Sequence, residues 1–326
     1  MKSLLLTEDW FFGAVSLEHT EVGIKPWRIP YQDYGLFPPG GIEGKAAICA
    51  GIRLRLRSDS EIIALSFTPL EDAARIDCVV GEQLYSVDLV QGMTEAVFRD
   101  LPAGMKEITV YLPQNIGMTI TRLQISAHAE AAYLPDLRPK WVTYGSSITQ
   151  CVAASSPSRT WPAIAAEAGG YNLTCLGYSG NCHLEPMVAR LIRDLPADVI
   201  TLCVGINVYG AATLSPRVFK AALIGMLETI RDKHTSTPIV VISPIYGTER
   251  ETVENVLGFT LPMMREDISQ TVELLQQRGD HHIFYRNGLD WFDDLDQNQL
   301  SDGLHPDAAG YELLGSRFME RIMVVH

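Results

Sequence analysis

The chain has 326 residues, of which 47% are hydrophobic, and its formal net charge is −13 at pH 7. This apolar content excludes a disordered chain, and the length predicts two domains rather than one core. The negative charge argues against a nucleic-acid partner, because phosphate binding needs a basic surface that the sequence does not supply.

The segment at the N-terminus, MKSLLLTEDWFF, gives a first indication of location. Its three-leucine run is too short for the apolar region of a signal peptide, and no run of about 18 apolar residues follows that could cross a bilayer. We therefore expect a cytoplasmic protein without a membrane partner. The six cysteines form no CxxC pair, which predicts reduced thiols and neither a metal site nor a cofactor.

Residues 1–133 are predicted to form an all-β domain. Apolar residues recur at every second position in runs such as GIRLRLRS, EIIALSFTP and KEITVYLP, and glycine or proline turns separate these runs. This spacing is typical of antiparallel strands in a sandwich or jelly roll. In the run from Arg53 to Arg57, the alternation predicts that the arginines form the solvent face of a half-buried strand, which we favour over an anion site.

Aromatic residues near the N-terminus have two interpretations. They could line a surface on which a sugar stacks, or they could belong to the hydrophobic core, which we favour. The residues concerned are Trp10, Trp27, Tyr31, Tyr34 and Phe37.

Residues 134–326 are predicted to form an α/β domain, and two prolines in a polar connector mark its beginning. Strand-like runs now alternate with longer segments of helical period, as in a parallel sheet that helices cover on both faces. The predicted strands are KWVTYG, NLTCLGY, DVITLCVG, TPIVVISPI and HIFYRNG.

Candidate site residues follow four of these five strands, and ligands of open α/β sheets bind at the carboxyl ends of the strands. Each of them alone has an ordinary structural explanation, since serines cap helices, glycines form turns and a histidine can precede a helix at the surface. Their joint placement indicates a site. The residues are Ser146 and Ser147, Gly180, Asn207, and the pair Asp302 and His305.

From about residue 140 to the C-terminus, the sequence resembles the SGNH hydrolases, also called the GDSL family of esterases and lipases. In family order, the nucleophile, the glycine and asparagine oxyanion donors and the DxxH pair correspond to Ser147, Gly180, Asn207, Asp302 and His305. The resemblance implies a three-layer, flavodoxin-like parallel sheet. With the preceding sandwich, it points to the two-domain branch that includes carbohydrate acetyl esterases and natural-product acyltransferases.

Two positions depart from the family pattern. Ser146 stands where the family has aspartate, and Val208 follows Asn207 where a second aspartate is usual. Neither missing carboxylate is the acid of the DxxH pair, so the expected mechanism is unchanged.

The chemistry also follows from the residues themselves. A serine hydroxyl needs a neighbouring base, and His305 has a carboxylate three residues before it. We expect Asp302 to accept from Nδ1 of His305 and Nε2 to take the proton of Ser147. The expected oxyanion donors are the backbone N–H groups of Ser147 and Gly180 and the side chain of Asn207.

Further residues lie close enough in sequence to line the pocket. Ser146 and His183 are candidates for contact with substrate, although a structural role is favoured for His183. The segment from Thr248 to Phe259 is long enough to cover the pocket. Cys151 and Cys182 lie near the site in sequence but lack a second histidine with an orienting acid, which argues against a cysteine nucleophile.

Three functions fit these observations. The first is a serine esterase that removes small, acetyl-like acyl groups from a small-molecule or carbohydrate ester. The second is an acyltransferase that passes the acyl group to an alcohol acceptor. The third is an inactive carbohydrate-binding protein, against which the intact set of Ser147, His305 and Asp302 argues.

Overall fold

The computed structural model describes residues 1–323, and the chain divides into two compact units. The first unit holds Met1–Arg138 together with Ser155–Arg159, and the second holds Pro139–Ala154 and the chain from Thr160 onward. The division falls slightly later than the predicted boundary between residues 133 and 134, because Asp136 pairs with Arg53 of the first unit at 3.1 Å.

The strands of the first unit are short and follow the predicted alternation. They are β1 (Lys2–Leu4), β2 (Phe11–Phe12), β3 (Ser16–His19), β4 (Ile24–Trp27), β5 (Arg53–Ser58), β6 (Ile63–Phe67), β7 (Ala74–Val80), β8 (Gln83–Leu89), β9 (Glu95–Phe98), β10 (Lys106–Tyr111), β11 (Ile120–Ile125) and β12 (Ala131–Tyr133). Short helical turns accompany them at Glu8–Trp10, Tyr31–Leu36, α1 (Gly40–Glu43) and Lys45–Ala47.

These strands form two antiparallel sheets. Within residues 1–323, one sheet has the order β3-β4-β11-β6-β9 with β1 on β11, and the other has the order β12-β5-β10-β7-β8 with β2 on β5. Leu54 and Val110 of the second sheet share one apolar core with Leu65 and Leu123 of the first, and all four are fully buried. The predicted β-sandwich is therefore confirmed.

The arginines of β5 correct one prediction. Arg57 is exposed, but the side chains of Arg53 and Arg55 are only 2% and 12% exposed. Both pair with the buried carboxylate of Asp136, which also accepts from Arg138 at 2.8 Å. The predicted solvent face is wrong at Arg53, because a distant carboxylate replaces water as its partner.

The aromatic residues near the N-terminus are mostly part of the core. Trp10, Trp27 and Phe37 are buried, as the favoured interpretation expected. Tyr31 is half-buried, and Tyr34 is 40% exposed while its ring packs edge-on against Trp27.

The second unit alternates strands and helices. The strands are β13 (Lys140–Gly145), β14 (Asn172–Gly177), β15 (Val199–Cys203), β16 (Ile239–Ile242) and β17 (Ile283–Arg286). The helices are α2 (Ser147–Gln150), α3 (Trp161–Ala168), α4 (Pro186–Asp194), α5 (Ile206–Ala211), α6 (Pro216–Arg231), α7 (Leu261–Gln277), α8 (Gly288–Trp291) and α9 (Ala308–Arg321). Further helical turns lie at Thr248–Glu251 and Asp294–Gln299.

The strands of this unit pair in parallel in the order β14-β13-β15-β16-β17. Successive residues of β16 are buried, and since alternate side chains point to opposite faces, both faces of the sheet are covered. The predicted α/β fold is confirmed, with each predicted strand in place. The strand order reverses at β13, so the segments after β13 and β15 border the crevice where ligands bind in such folds.

An aromatic cluster fixes one side of this sheet. Trp141, Trp161, Trp291 and Phe318 lie with ring centroids 4.8 to 6.0 Å apart. The indole N–H groups are satisfied inside the core, as that of Trp161 is by the carbonyl of Ile148 at 2.8 Å. Across residues 1–323, we find no helix with both the length and the apolar content needed to cross a membrane.

Candidate active site

The two serines in the turn after β13 have different contacts. Ser146 is the N-cap of α2, and its Oγ accepts from the backbone N–H of Ile148 at 3.2 Å. Ser147, the first residue of α2, turns its Oγ to Nε2 of His305 at 2.8 Å. Gly145 makes the tight turn possible, because a Cβ there would overlap the Thr149 side chain. The capping explanation is thus right for Ser146 and leaves Ser147 available for chemistry.

Contacts on both sides hold the short helix α2 in place. The Trp161 indole donates to the Ile148 carbonyl at 2.8 Å, and Oε1 of Gln150 accepts from the backbone N–H of Ser179 at 3.0 Å. The second contact links the turn after β13 to the turn after β14. Ser147 is only 8% exposed, so the neighbouring residues restrict the position of its hydroxyl.

Asp302 and His305 meet as the sequence predicts. Nδ1 of His305 lies 2.7 Å from Oδ2 of Asp302, while Oδ1 accepts from the backbone N–H groups of His305 at 2.7 Å and Leu304 at 3.0 Å. A carboxylate acceptor at Nδ1 places the ring proton there and leaves the lone pair of Nε2 toward Ser147. The predicted contacts between Ser147, His305 and Asp302 are therefore present.

The environment keeps Asp302 ionised. Burial alone would raise the pKa of this carboxyl, but hydrogen bonds from the His305 backbone, the His305 ring and the Leu304 backbone outweigh it and lower the pKa to about 2. The carboxylate therefore remains negative at neutral pH and accepts the ring proton on Nδ1 of His305.

A threonine that sequence reasoning did not single out supports this turn. Thr248, in the helical turn after β16, donates from Oγ1 to the carbonyl of Gly303 at 3.0 Å. Gly303 has a φ of +73°, which suits glycine and lets the chain reverse between Asp302 and His305. The segment from Thr248 to Phe259 was predicted to cover the pocket, and its observed contact is with the turn that holds His305. The position of Thr248 after the fourth strand was the available signal.

Asn207 stands at the start of α5, directly after β15. Its Oδ1 accepts from the backbone N–H of Cys182 at 3.0 Å. This contact fixes the amide orientation, and the Nδ2 donor lies on the opposite side of the amide group. Gly205, with a φ of +113°, allows the strand to turn into α5 where a Cβ would press against Pro244.

Gly180 lies in the loop after β14 with a φ of +75°. His183 holds this loop through both ring nitrogens, Nε2 at 2.9 Å from the Gly180 carbonyl oxygen and Nδ1 at 2.9 Å from Oγ1 of Thr213. These contacts support a structural role for His183, in which the ring positions the Gly180 peptide.

A buried tyrosine of β13 also holds the loop after β14 in place. Tyr144 of β13 donates to Oε2 of Glu185 at 2.5 Å, and Oε1 of Glu185 accepts from the backbone N–H of His183 at 3.0 Å. Burial raises the pKa of Tyr144 well above its ordinary value, so the hydroxyl remains a donor. Sequence reasoning missed this pair, because residues 144 and 185 meet only in the folded sheet.

The cysteines near the site are poor nucleophiles. Burial raises the pKa of Cys151 and Cys182 well above the ordinary thiol value and that of Cys203 to about 12. A thiol must lose its proton to attack an ester. This agrees with the preference for serine.

Comparison with known protein families identifies the family to which the chain belongs. The model of the GDSL-like lipase/acylhydrolase family matches residues 139–322, and the model of the SsfX3 N-terminal domain matches residues 10–118. The chain belongs to the GDSL-like lipase/acylhydrolase family. Family membership makes it a hydrolase or an acyl-transferring enzyme.

Solved structures resemble the chain over most of its length. The salicylyl-acyltransferase SsfX3 from a tetracycline biosynthetic pathway is 31% identical, with a TM-score of 0.91 over 98% of this chain and 96% of that chain. A proposed GDSL-like lipase from Bacteroides ovatus is 23% identical, with a TM-score of 0.78 over 94% and 93% of the two chains.

A more distant structure shares the fold. A family two carbohydrate esterase from Clostridium thermocellum is 13% identical, with a TM-score of 0.67 over 84% of this chain and 92% of that chain. In the comparison with curated proteins, no sequence matches.

Proposed function

We propose that the protein is a serine esterase that cleaves an acyl ester through an acyl-enzyme on Ser147. The observation that carries this proposal is the aligned pair of contacts at His305, with Nε2 at 2.8 Å from Oγ of Ser147 and Nδ1 at 2.7 Å from Asp302. These are the distances at which an imidazole can take the proton of a serine hydroxyl while a carboxylate orients the ring.

In the first step, Oγ of Ser147 attacks the ester carbonyl carbon and its proton passes to Nε2 of His305. The negative charge of Asp302 stabilises the resulting imidazolium, and its low pKa keeps the proton on the ring. The carbonyl oxygen becomes an oxyanion. The backbone N–H groups of Ser147 and Gly180 and Nδ2 of Asn207 are the proposed donors to it.

In the second step, the tetrahedral intermediate collapses and His305 gives its proton to the leaving alkoxide. The alcohol departs and leaves the acyl group on Ser147. His305, neutral again, removes a proton from water, which attacks the acyl-enzyme and releases the acid. The proton then returns to Ser147, so the enzyme is regenerated.

Water as the acceptor is supported by the exposure of the base. The side chains of His305 and Asp302 are 34% and 55% exposed, so solvent reaches the group that activates the second nucleophile. An enzyme that transfers the acyl group instead must keep water from the acyl-enzyme and hold an acceptor in its place.

Transfer to an alcohol is the second candidate, and one comparison favours it. The salicylyl-acyltransferase SsfX3 is 31% identical to the chain over 98% of its length. The acyl-enzyme and the five proposed catalytic and oxyanion residues would be the same. An acceptor hydroxyl would replace water at His305.

The test measures both turnover and its products. Wild type, Ser147→Ala and Ser146→Ala are incubated with p-nitrophenyl esters, with and without sugar or polyol acceptors at millimolar concentration. Mass spectrometry then compares the free acid with the acylated acceptor. We expect mainly free acid from wild type. Turnover should be lost in Ser147→Ala, whereas Ser146→Ala, which removes the cap of α2 at a cost of about 1 kcal/mol but keeps the nucleophile, should retain most of it.

Two results would change the proposal. If most of the acyl group reached an acceptor despite the excess of water, the protein would be an acyltransferase. If Ser147→Ala retained the turnover of wild type, the acyl-enzyme mechanism itself would be wrong.

A further inference from the structure

A buried ion pair joins α7 to the segment that follows β16. Nη1 and Nη2 of Arg265 donate to Oε2 and Oε1 of Glu251 at 2.6 and 2.7 Å. The two side chains are 7% and 17% exposed. Since both prongs of the guanidinium bind one carboxylate, the pair has a defined geometry in addition to the attraction of opposite charges. Neither residue belongs to the proposed catalytic set.

Both partners also bind the backbone of this segment. Nε and Nη2 of Arg265 donate to the carbonyls of Pro244 at 2.9 Å and Ile245 at 3.1 Å. Oε1 of Glu251 accepts from the backbone N–H of Gly247 at 3.0 Å. Because these contacts satisfy the buried charges and the backbone groups together, they fix the path of the segment against α7.

The segment reaches the turn that carries His305. Oγ1 of Thr248 donates to the carbonyl of Gly303 at 3.0 Å, and Nη1 of Arg250 lies 3.5 Å from the same oxygen. A Cβ at Gly303 would lie 2.6 Å from Oγ1 of Thr248, so the segment and the turn are in close contact. Gly303 lies between Asp302 and His305, and the contact therefore restrains the turn that orients the imidazole.

Several contacts of this turn are internal. The N–H and Oγ of Ser301 donate to the carbonyl of His305 at 2.9 and 3.1 Å. Internal contacts preserve the shape of the turn, but they do not fix its distance from Ser147. A shift of about 1 Å would lengthen the 2.8 Å contact between Ser147 and His305 beyond hydrogen-bond reach, and a displacement of this size can lower a rate about 10²-fold. The hydrogen bond from Thr248 comes from outside the turn and opposes such a shift.

We propose that Thr248, Glu251 and Arg265 are positioning residues that hold the catalytic base at its distance from the nucleophile. They act through the carbonyl of Gly303 and not through contact with the ester. This inference rests on the proposed reaction at Ser147 and adds residues on which its rate depends. Since the substrate keeps its own contacts, their loss should lower kcat more than it changes KM.

The first experiment removes the hydroxyl of Thr248. Thr248→Val keeps the branched shape without the donor, and we expect kcat with p-nitrophenyl acetate to fall about five- to tenfold, the effect of one net hydrogen bond, with KM close to that of wild type. Thr248→Ser keeps the donor, so its kcat should lie within about twofold of wild type.

Thr252→Val is the matched control for this change. Oγ1 of Thr252 donates to the carbonyl of Glu249 at 3.5 Å, within the same segment, and we expect its loss to leave kcat unchanged. An unchanged kcat in Thr248→Val, or an equal fall in Thr252→Val, would overturn the proposal.

The second experiment measures whether the ion pair acts through Thr248. Glu251→Gln keeps the size of the side chain but removes its charge, and we expect kcat to fall as far as in Thr248→Val. If both changes act on the same turn, the fall in the double variant should be smaller than the product of the two single effects. Single effects that multiply would contradict a shared path. Arg265→Lys keeps the charge without the two-pronged geometry, and it replaces Glu251→Gln if that variant does not fold in a thermal melt.

A third measurement follows the nucleophile without an ester. In the reaction with a fluorophosphonate probe, Oγ of Ser147 displaces fluoride from phosphorus while His305 takes the proton, and intact-protein mass spectrometry gives the labelling rate. We expect Thr248→Val to be labelled about five- to tenfold more slowly than wild type. Labelling of Thr248→Val at the wild-type rate would refute this inference alone, whereas a wild type that gains no label on Ser147 would refute the proposed function.

Discussion

Each unit of the molecule contains an aspartate that accepts several hydrogen bonds, and the two aspartates have different partners. In the first unit, the Asp136 side chain is fully buried and lies among Arg53, Arg55 and Arg138. In the second unit, Asp302 is 55% exposed and holds the ring of His305. Both carboxyl pKa values are lowered, in each case because charged or hydrogen-bonded partners outweigh burial.

The difference lies in what the partner can do. A guanidinium keeps its proton at any pH that a folded protein meets, so the Asp136 cluster has one charge state and serves structure. An imidazole gains and loses a proton near neutral pH, so the Asp302 pair can take part in proton transfer. The same carboxylate chemistry thus supports stability in one unit and the proposed catalysis in the other.

The largest expected effect comes from Asp302. Asp302→Asn should lower kcat about 10⁴-fold, because the amide no longer selects the correct tautomer of His305. Stability should change by about 1 kcal/mol or less, since the pair is largely exposed. The measurements are kcat with a p-nitrophenyl ester and a urea unfolding curve.

Asp307→Asn is the control for this change. It removes one charge close by while asparagine can still cap α9, where Asp307 now accepts from Gly310 N–H at 2.8 Å. A similar loss of kcat in both variants would mean that the loss comes from removing a negative charge near the site, and not from losing the contact between Asp302 and His305.

Substitution of Asp136 should lower stability and leave kcat almost unchanged, the opposite of the result expected for Asp302. Asp136→Ala leaves buried guanidinium groups without their carboxylate, and we expect the first unit to lose about 3–5 kcal/mol of stability. The kcat of the folded protein should remain close to that of wild type. Asp88→Ala is the control, because its pair with Arg75 is exposed and should contribute about 1 kcal/mol or less. Equal destabilisation by both variants would refute the structural role of the buried cluster.

Asn207→Ala should lower kcat about 10²- to 10³-fold, the usual cost of one oxyanion donor. Asn207→Asp separates this role from a structural one. The carboxylate can still accept from Cys182 N–H, as Oδ1 does now at 3.0 Å, but it offers no donor. If Asn207→Asp kept the kcat of wild type, Asn207 would have no oxyanion role.

The pH dependence should reveal which group of the pair titrates. Because the pKa of Asp302 is lowered to about 2, its contribution to stability is present above the unfolded value of about 3.9 and is lost only as the pH falls through about 2. Asp302 should therefore stay ionised between pH 4 and 9, so an acid limb of kcat/KM in that range, falling about tenfold per pH unit, belongs to the histidine base. A profile from pH 4 to 9 without an acid limb would exclude histidine as the base.

The features that the sequence predicted are local or ordered along the chain. Alternating residues in β5 and apolar runs such as that of β16 indicated the strands, and the glycine-serine turn after β13 indicated the position of the site. Each of these depends on a few adjacent residues, so its physical cause is visible in the sequence.

The features that it did not predict depend on distant partners. Arg53 is buried because Asp136 meets it in the fold, and Thr248 supports the turn at Gly303. Ser156 and Ser158 join the first unit because both donate to Asp77. Periodicity reports which face of a strand is apolar, but it contains no information about which distant side chain arrives there.

The most direct test of the account is the detection of the acyl-enzyme, which hydrolysis and transfer would share. Wild type and Ser147→Ala are mixed rapidly with p-nitrophenyl butyrate, quenched in acid and examined by mass spectrometry as intact protein and as peptides. We expect wild type to gain the mass of one butyryl group on the peptide that contains Ser147, and Ser147→Ala to gain none. A butyryl group on another residue, such as Cys203 or His183, that turned over at the rate of product formation would contradict the account.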